Sequence, residues 1–167
     1  MSGYGLRRRA RHVLELCRAR GLRVATAESC TGGLVAGALT EIGGSSDVVD
    51  CGFVTYSNDA KQKMLGVPAR VLKRYGAVSA ETAAAMAKGA LKNSQAGLAV
   101  AITGIAGPGG GSKQKPVGLV YFAAASRDGR HLPRTRRFGK IGRTRVRLRS
   151  VVQALDMLAA LAQKIGD

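Results

Sequence analysis

Leu22-Arg23-Val24-Ala25-Thr26-Ala27 runs directly into Glu28-Ser29-Cys30-Thr31-Gly32-Gly33, and Leu34 to Glu41 follows. The first six residues read as a short β-like run, the Gly32-Gly33 pair as the punctuation of a turn, and Leu34 to Glu41 as a helix. On the N-terminal side, Arg7 to Arg20 carries Val13, Leu14 and Cys17 at helical spacing with arginines between them, and Gly21 ends it. On the C-terminal side, Gly43-Gly44-Ser45-Ser46 breaks the second helix and Val49 to Tyr56 is β-rich. Asn58 or Asp59 can cap a short helix to Leu65, Gly66-Val67-Pro68 starts a brief helix through Tyr75, and Ser79 caps a longer one to about Asn93. Leu98 to Thr103 is a wholly apolar strand followed by the Gly-rich stretch Gly104 to Ser112. Val117 to Ala125 is the next strand, Asp128-Gly129 turns it into Leu132 to Phe138, and a helix from about Thr144 to Ile165 closes the chain. Strands and helices interleave, so the fold class is α/β, and the terminal hairpin makes the sheet mixed. The expectation is a single-domain three-layer α/β/α sandwich over residues 1–167, with helices on both faces of a mixed sheet.

At 167 residues the chain is long enough to bury about two-thirds of its unfolded surface in one core. Hydrophobic residues make up 46% and charged residues 22%, the balance of a folded globular protein rather than a disordered one. Four Tyr and three Phe leave the core to Ala, Val, Leu and Ile. No apolar run is long enough for a membrane span and no signal-like apolar stretch follows the basic start, so neither a membrane nor secretion is expected. Cys17, Cys30 and Cys51 are an odd number without metal-ligand spacing, which favours a reducing, cytoplasmic setting.

The formal net charge of +17 is unevenly placed. Seven basic residues and one acid fall in residues 1–23, and ten basic residues and one acid in residues 127–149. A basic surface attracts polyanions, which admits a basic nucleic-acid-binding module as one reading. No motif of the known nucleic-acid modules is present and no aromatic residues interleave the arginines, so nucleic acid is not expected as a partner.

In open α/β sheets ligands gather beyond the carboxyl ends of the strands. Three polar, Gly-rich turns occupy that place: Ser29 to Gly33, Tyr56 to Lys61, and Thr103 to Ser112. His12 and His131 lie in none of them, so a Ser-His-Asp triad has no base there, and no metal-ligand cluster or paired carboxylates appear in those turns. Nucleophilic chemistry would then need a serine with a lysine or tyrosine base. Ser29 is the best nucleophile by position, after a strand and before a helix whose free N–H groups suit an oxyanion or phosphate. Equally, Ser29 or Thr31 fits an ordinary helix cap. Lys61 fits either a base of lowered pKa or a solvated helix lysine, and Tyr56 fits strand-end packing. Cys30 is adjacent and reads as a small core residue. The glycines after Thr103 resemble a ligand-wrapping loop but not a Walker sequence.

Thr26-Ala27-Glu28-Ser29-Cys30-Thr31-Gly32-Gly33, Gly52-Phe53-Val54-Thr55-Tyr56-Ser57-Asn58, Gly76-Ala77-Val78-Ser79, and Thr103-Gly104-Ile105-Ala106-Gly107-Pro108 through Lys115-Pro116-Val117-Gly118 together resemble the CinA C-terminal domain family, in register from about residue 8 to 163. That family contains the nicotinamide mononucleotide deamidases, some with an extra N-terminal domain, and this chain resembles the stand-alone form. The resemblance implies hydrolysis of the carboxamide of nicotinamide mononucleotide to nicotinate mononucleotide and ammonia, without cofactor or metal. It makes Ser29 the nucleophile, Lys61 and Tyr56 its activating partners, and Glu28, Thr31, Gly32, Gly33, Thr103 and Gly104 the substrate-binding residues. The family arginine at the start of the last helix falls on Arg143, a partner for the substrate phosphate. Where the family reads Gly-Asp-Arg this sequence reads Ile141-Gly142-Arg143, so Arg145 or Arg147 are the alternatives for that role. The partners implied are a small nucleotide substrate and a second copy in a dimer. A nucleotide-binding domain without turnover is the remaining alternative.

Overall fold

The computed structural model describes residues 3–165. Helix α1 (Gly3–Ala19) leads to strand β1 (Val24–Glu28), α2 (Leu34–Thr40), a 3-10 turn at Ser45–Asp47 and β2 (Val49–Val54). Three helices follow, α3 (Asn58–Leu65), α4 (Ala69–Tyr75) and α5 (Ala80–Lys92), then β3 (Leu98–Gly104), β4 (Leu119–Ser126), β5 (His131–Arg137) and α6 (Arg143–Gln163). The sheet order is β2-β1-β3-β4-β5. Strand β1 is parallel to both β2 and β3, while β3–β4 and β4–β5 are antiparallel, so the sheet is mixed as the hairpin signal predicted.

Alternation along the central strands sorts the core into two unlike layers. Val24, Leu98, Val100, Ile102, Val120 and Phe122 face α1, α2 and α6. Ala25, Ala27, Ala99, Ala101, Ala123 and Ala125 face α5, which meets them with Ala83, Ala87 and Ala90. The bulky layer carries most of the hydrophobic stabilisation, at about 1.5–3 kcal/mol for each fully buried Leu, Ile or Phe. The alanine layer lets α5 lie close to the sheet, and this is how a chain with few aromatics still fills its interior. Strand β3 is buried on both faces except at its last residue, which explains its unbroken apolar sequence.

Several boundaries differ from the sequence expectation. The cap of α3 is Ser57, whose Oγ accepts a hydrogen bond from the Ala60 N–H at 3.0 Å. Asn58 and Asp59, the expected caps, fall inside the first turn, where Asp59 complements the helix dipole. Strand β2 stops at Val54, and Thr55 and Tyr56 lie beyond the sheet on the way into α3. Ser79 does cap α5, accepting from the Thr82 N–H at 3.1 Å. The ends of β1, β2 and β3 therefore open on one side of the sheet, and the three polar turns meet there.

Candidate active site

Ser29 is the first residue beyond β1, and its N–H donates to the Ile102 carbonyl on β3 at 3.0 Å. The chain then turns sharply, with Gly32 at φ +58° and Gly33 at φ +94°, conformations in which a side chain would be strained. Gly33 occupies the N-cap of α2 and has no side chain to offer the helix's free N–H groups. Glu28 takes that place. Its carboxylate, wholly buried, accepts from the Gly33 and Val35 N–H groups at 3.1 Å and from the Ala36 N–H at 2.9 Å. A carboxylate at a helix N-terminus is stabilised by the dipole and by charge-assisted bonds, so the burial is compensated.

Lys61 reaches the same turn from the first part of α3. The residue is 1% exposed, and its Nζ donates to the Thr55 carbonyl at 2.8 Å and lies 3.1 Å from Ser29 Oγ. Burial lowers the pKa of this ammonium from its ordinary 10.5, which favours the neutral amine that can accept a proton. Burial has the opposite consequence for the neighbouring thiol, pushing Cys30 up to about 12 and leaving it protonated and unreactive at neutral pH. The hydroxyl, not the thiol, is the group with the lysine amine at hydrogen-bond distance.

Ser29, Tyr56, Lys61, Val78, Thr103 and Arg143 help to enclose a cavity of about 230 Å³. Arg143, the first residue of α6, donates to the Gly107 carbonyl at 3.0 Å and to Tyr56 Oη at 2.9 Å, so it ties the Gly-rich loop to the cavity mouth. Thr103 Oγ1 donates to the Ala77 carbonyl at 2.6 Å and fixes the cavity wall before α5. A larger groove of about 510 Å³ runs along α5 beside Gly66 and Val71, with Lys63 and Lys88 at its rim. No serine, threonine or cysteine lines it.

Ser29, Lys61, Thr103, Gly104 and Arg143 thus meet around one cavity, as the sequence indicated, but four expected binding residues do not reach it. Glu28 is turned inward as the cap of α2, Thr31 is wholly buried, the Gly32 N–H donates to the Ser29 carbonyl at 3.0 Å, and the Gly33 N–H is held by Glu28. The amides of Gly32 and Gly33 are thus engaged inside the turn. Tyr56 lines the mouth, 61% exposed, with its hydroxyl on Arg143 rather than between Ser29 and Lys61. Gly104 is small because an added Cβ would meet the Leu119 carbonyl and Val120 on β4 at about 2.8 Å, a packing reason rather than ligand approach. Arg147 is half-buried and donates to the carbonyls of Cys30 and Thr31 at 3.1 and 3.0 Å, so it braces the turn and is not free for a phosphate. Arg145 is exposed and does not line the cavity. The wall residues Asn58, Ala77, Val78 and Ala106 were not singled out as site residues from sequence. Their signal was position, since each adjoins a motif residue in a post-strand turn.

The sequence profile of the CinA C-terminal domain matches residues 7–162. A CinA-like protein of Synechococcus sp. (strain RCC307) is 53% identical over 148 residues, covering 87% of this chain and 35% of that protein. The nicotinamide-nucleotide amidohydrolase PncC of Enterobacter agglomerans is 51% identical over 139 residues, covering 83% of this chain and 84% of that one. Among solved structures, the competence/damage inducible protein CihA from Agrobacterium tumefaciens superposes with a TM-score of 0.92 at 59% identity, covering 93% of this chain and 94% of its own. A CinA superfamily protein from Klebsiella pneumoniae gives 0.90 at 35% identity, with 95% and 98% covered. This chain spans only about a third of the length of several curated relatives, between 28% and 35%.

Proposed function

The chain belongs to the CinA C-terminal domain family, and from that premise we propose that it is a nicotinamide-nucleotide amidohydrolase, which converts the carboxamide of nicotinamide mononucleotide to the carboxylate and ammonia. The observation that carries the reading is the buried Lys61 Nζ lying 3.1 Å from Ser29 Oγ, beside a cavity open to solvent. A serine hydroxyl at neutral pH is a weak nucleophile, and a neutral amine at hydrogen-bond distance is the group that activates it.

In this reading Lys61 takes the Ser29 proton as Oγ bonds to the carboxamide carbon. The tetrahedral intermediate collapses, Lys61 returns the proton to the departing nitrogen, and ammonia leaves an ester on Ser29. Water, deprotonated by Lys61, then attacks that ester, and Ser29 recovers its proton as the nicotinate nucleotide departs. No metal is needed for these steps, because the proton never leaves the lysine, serine, water and leaving group. Arg143 faces the substrate phosphate, exchanging its bonds to Gly107 and Tyr56 for the bidentate bonds that a guanidinium makes to phosphate. Tyr56 acts with Arg143 on the substrate side. A homodimer belongs to the same reading, supported by Val54 on the edge strand β2 and Met64 on α3, apolar side chains left exposed.

The test is ammonia release from nicotinamide mononucleotide by the wild-type protein and by Ser29→Ala, both with chelator present. Release by wild type alone, insensitive to the chelator, is the expected result. Full turnover by Ser29→Ala would remove Ser29 from the chemistry. Binding of the nucleotide with no release from wild type would instead identify a nucleotide-binding domain without turnover.

A further inference from the structure

An amide-hydrolysing serine needs an N–H donor for the oxyanion of its tetrahedral intermediate. The obvious donors at the start of α2 are engaged, since Glu28 holds Gly33 and the Ser29 carbonyl holds Gly32. Thr31 is wholly buried. Cys30 is different. It lines the cavity next to Ser29, and its N–H donates to no other residue among the described residues, only its own sulfur lying within reach.

That N–H is fixed by a chain of planar peptides that ends on a cation. Arg147 Nη2 donates to the Thr31 carbonyl at 3.0 Å. The N–H of the same peptide is that of Gly32, which donates to the Ser29 carbonyl at 3.0 Å. The N–H of that second peptide is the one on Cys30. Each peptide is planar with its N–H and C=O on opposite sides, so fixing one end fixes the other. Hydrogen bonds in series also polarise one another, and a guanidinium at the head of the series strengthens the donor at its tail. Arg147 holds the turn by a second bond, from Nε to the Cys30 carbonyl at 3.1 Å, which fixes the peptide on the other side of Cys30. The side chain lies against the turn closely enough that a Cβ on Gly32 would stand 3.4 Å from its Nη2.

We infer that Arg147 is a positioning residue for the reaction, aiming and polarising the Cys30 N–H as the oxyanion donor through the Thr31–Gly32 and Ser29–Cys30 peptides. The inference rests on the amidohydrolase reading for its catalytic consequence, but the relay itself is a property of the turn. Arg147 does not line the cavity. Its effect belongs to the transition state, where charge develops on the oxygen, and therefore to kcat rather than KM.

The experiment compares wild type with Arg147→Lys and Arg147→Met by steady-state ammonia release and by the amide proton resonance of Cys30 in labelled protein. Folding is followed by thermal melting and by amides of β4 remote from the turn. The expected result is a kcat lowered by about 10- to 100-fold in Arg147→Met with KM nearly unchanged, somewhat less than the loss of a whole oxyanion donor. The pH dependence set by Lys61 stays where it is in wild type. The Cys30 amide proton shifts upfield while the β4 amides do not move. Arg147→Lys keeps the charge but cannot span both carbonyls with a rigid fork, so it lies between wild type and Arg147→Met. Partial recovery of Arg147→Met by added guanidinium ion, at concentrations that leave the melting curve unchanged, would further support the relay. A brace of purely structural kind would lower the melting temperature and leave kcat per folded molecule intact, and that outcome overturns the inference. An unmoved Cys30 resonance in both variants overturns it as well. Absence of ammonia release from wild type defeats the amidohydrolase reading alone, because the Cys30 resonance still decides whether the relay exists.

Discussion

With its ammonium shut away from water, Lys61 is easier to deprotonate than a surface lysine, and that fixes the sign of two pH dependences. As the base, Lys61 must be neutral, so kcat/KM is expected to rise with pH through an apparent pKa below the ordinary 10.5. Lys61→Arg is expected to lose turnover by at least about 100-fold at every accessible pH, since a guanidinium does not deprotonate. Stability moves the same way. The unfolded chain holds the Lys61 proton up to about 10.5 while the folded chain releases it earlier, so unfolding is opposed more strongly as pH rises between the two values. A pH–rate profile and denaturant melts across the same range check both, and a flat profile would remove Lys61 as the base. From sequence, the place of Ser29 and Lys61 in two post-strand turns made each a candidate, and the family resemblance made them a pair. Their separation of 32 positions says nothing about distance until β1 and β2 are paired in register. Glu28, a substrate-binding residue by the resemblance alone, is instead the cap of α2. The burial that turns its carboxylate onto the amides of α2 is not written in the local sequence.

At the scale of elements, α5 shows how packing reverses a local preference. Gly89 sits mid-helix, where alanine would ordinarily be favoured by about 1 kcal/mol. A Cβ there would overlap the Leu65 carbonyl at the end of α3, which crosses α5 at this point. Overpacking of this kind costs about 1–3 kcal/mol. Gly89→Ala is therefore expected to lower the denaturation midpoint despite its better helix propensity, and a raised midpoint would show that α3 can yield. Because α3 carries Lys61, the same substitution is expected to reduce ammonia release by shifting Nζ away from Ser29 Oγ. The helix itself was legible from its Ser79 cap, but its closeness to α3 was not, since glycine within a helix signals only a weaker helix.

Across the whole molecule the charge of +17 is concentrated in residues 1–23 and 127–149, and no Asp or Glu occurs from Gly129 to Leu155. Nine basic residues lie in that interval, among them Arg143 at the cavity mouth and Arg134 and Arg136 on the exposed strand β5. Arg136 donates to Gln153 on α6, joining the basic strand to the helix that begins at the cavity. In the proposed reading a positive field of this kind would draw an anionic nucleotide toward the cavity, and it is screened as the Debye length shrinks from about 30 Å at 0.01 M salt to about 10 Å at 0.1 M. The expected result is a several-fold fall in kcat/KM for nicotinamide mononucleotide over that range, with no such fall for the nucleoside that lacks the phosphate. Equal salt dependence for both would mean that the field does not act on the phosphate. Among the described residues no helix is long and apolar enough to cross a membrane.

The sequence by itself determined the α/β class, the order of its elements, the antiparallel end of the sheet and the three turns that meet at the cavity. Each of these follows from local rules: the period of apolar side chains, the turn residues that interrupt it, and caps within a few positions. Tertiary structure alone decided which groups face the cavity and which are spent inside the fold. It placed Lys61 beside Ser29, turned Glu28 into a helix cap, drew Tyr56 to Arg143, and set Arg147 against the carbonyls of Cys30 and Thr31. These contacts join residues far apart in the chain, and a polar side chain takes whichever partner the assembled sheet and helices bring within about 3 Å, because a buried polar group left without one is costly.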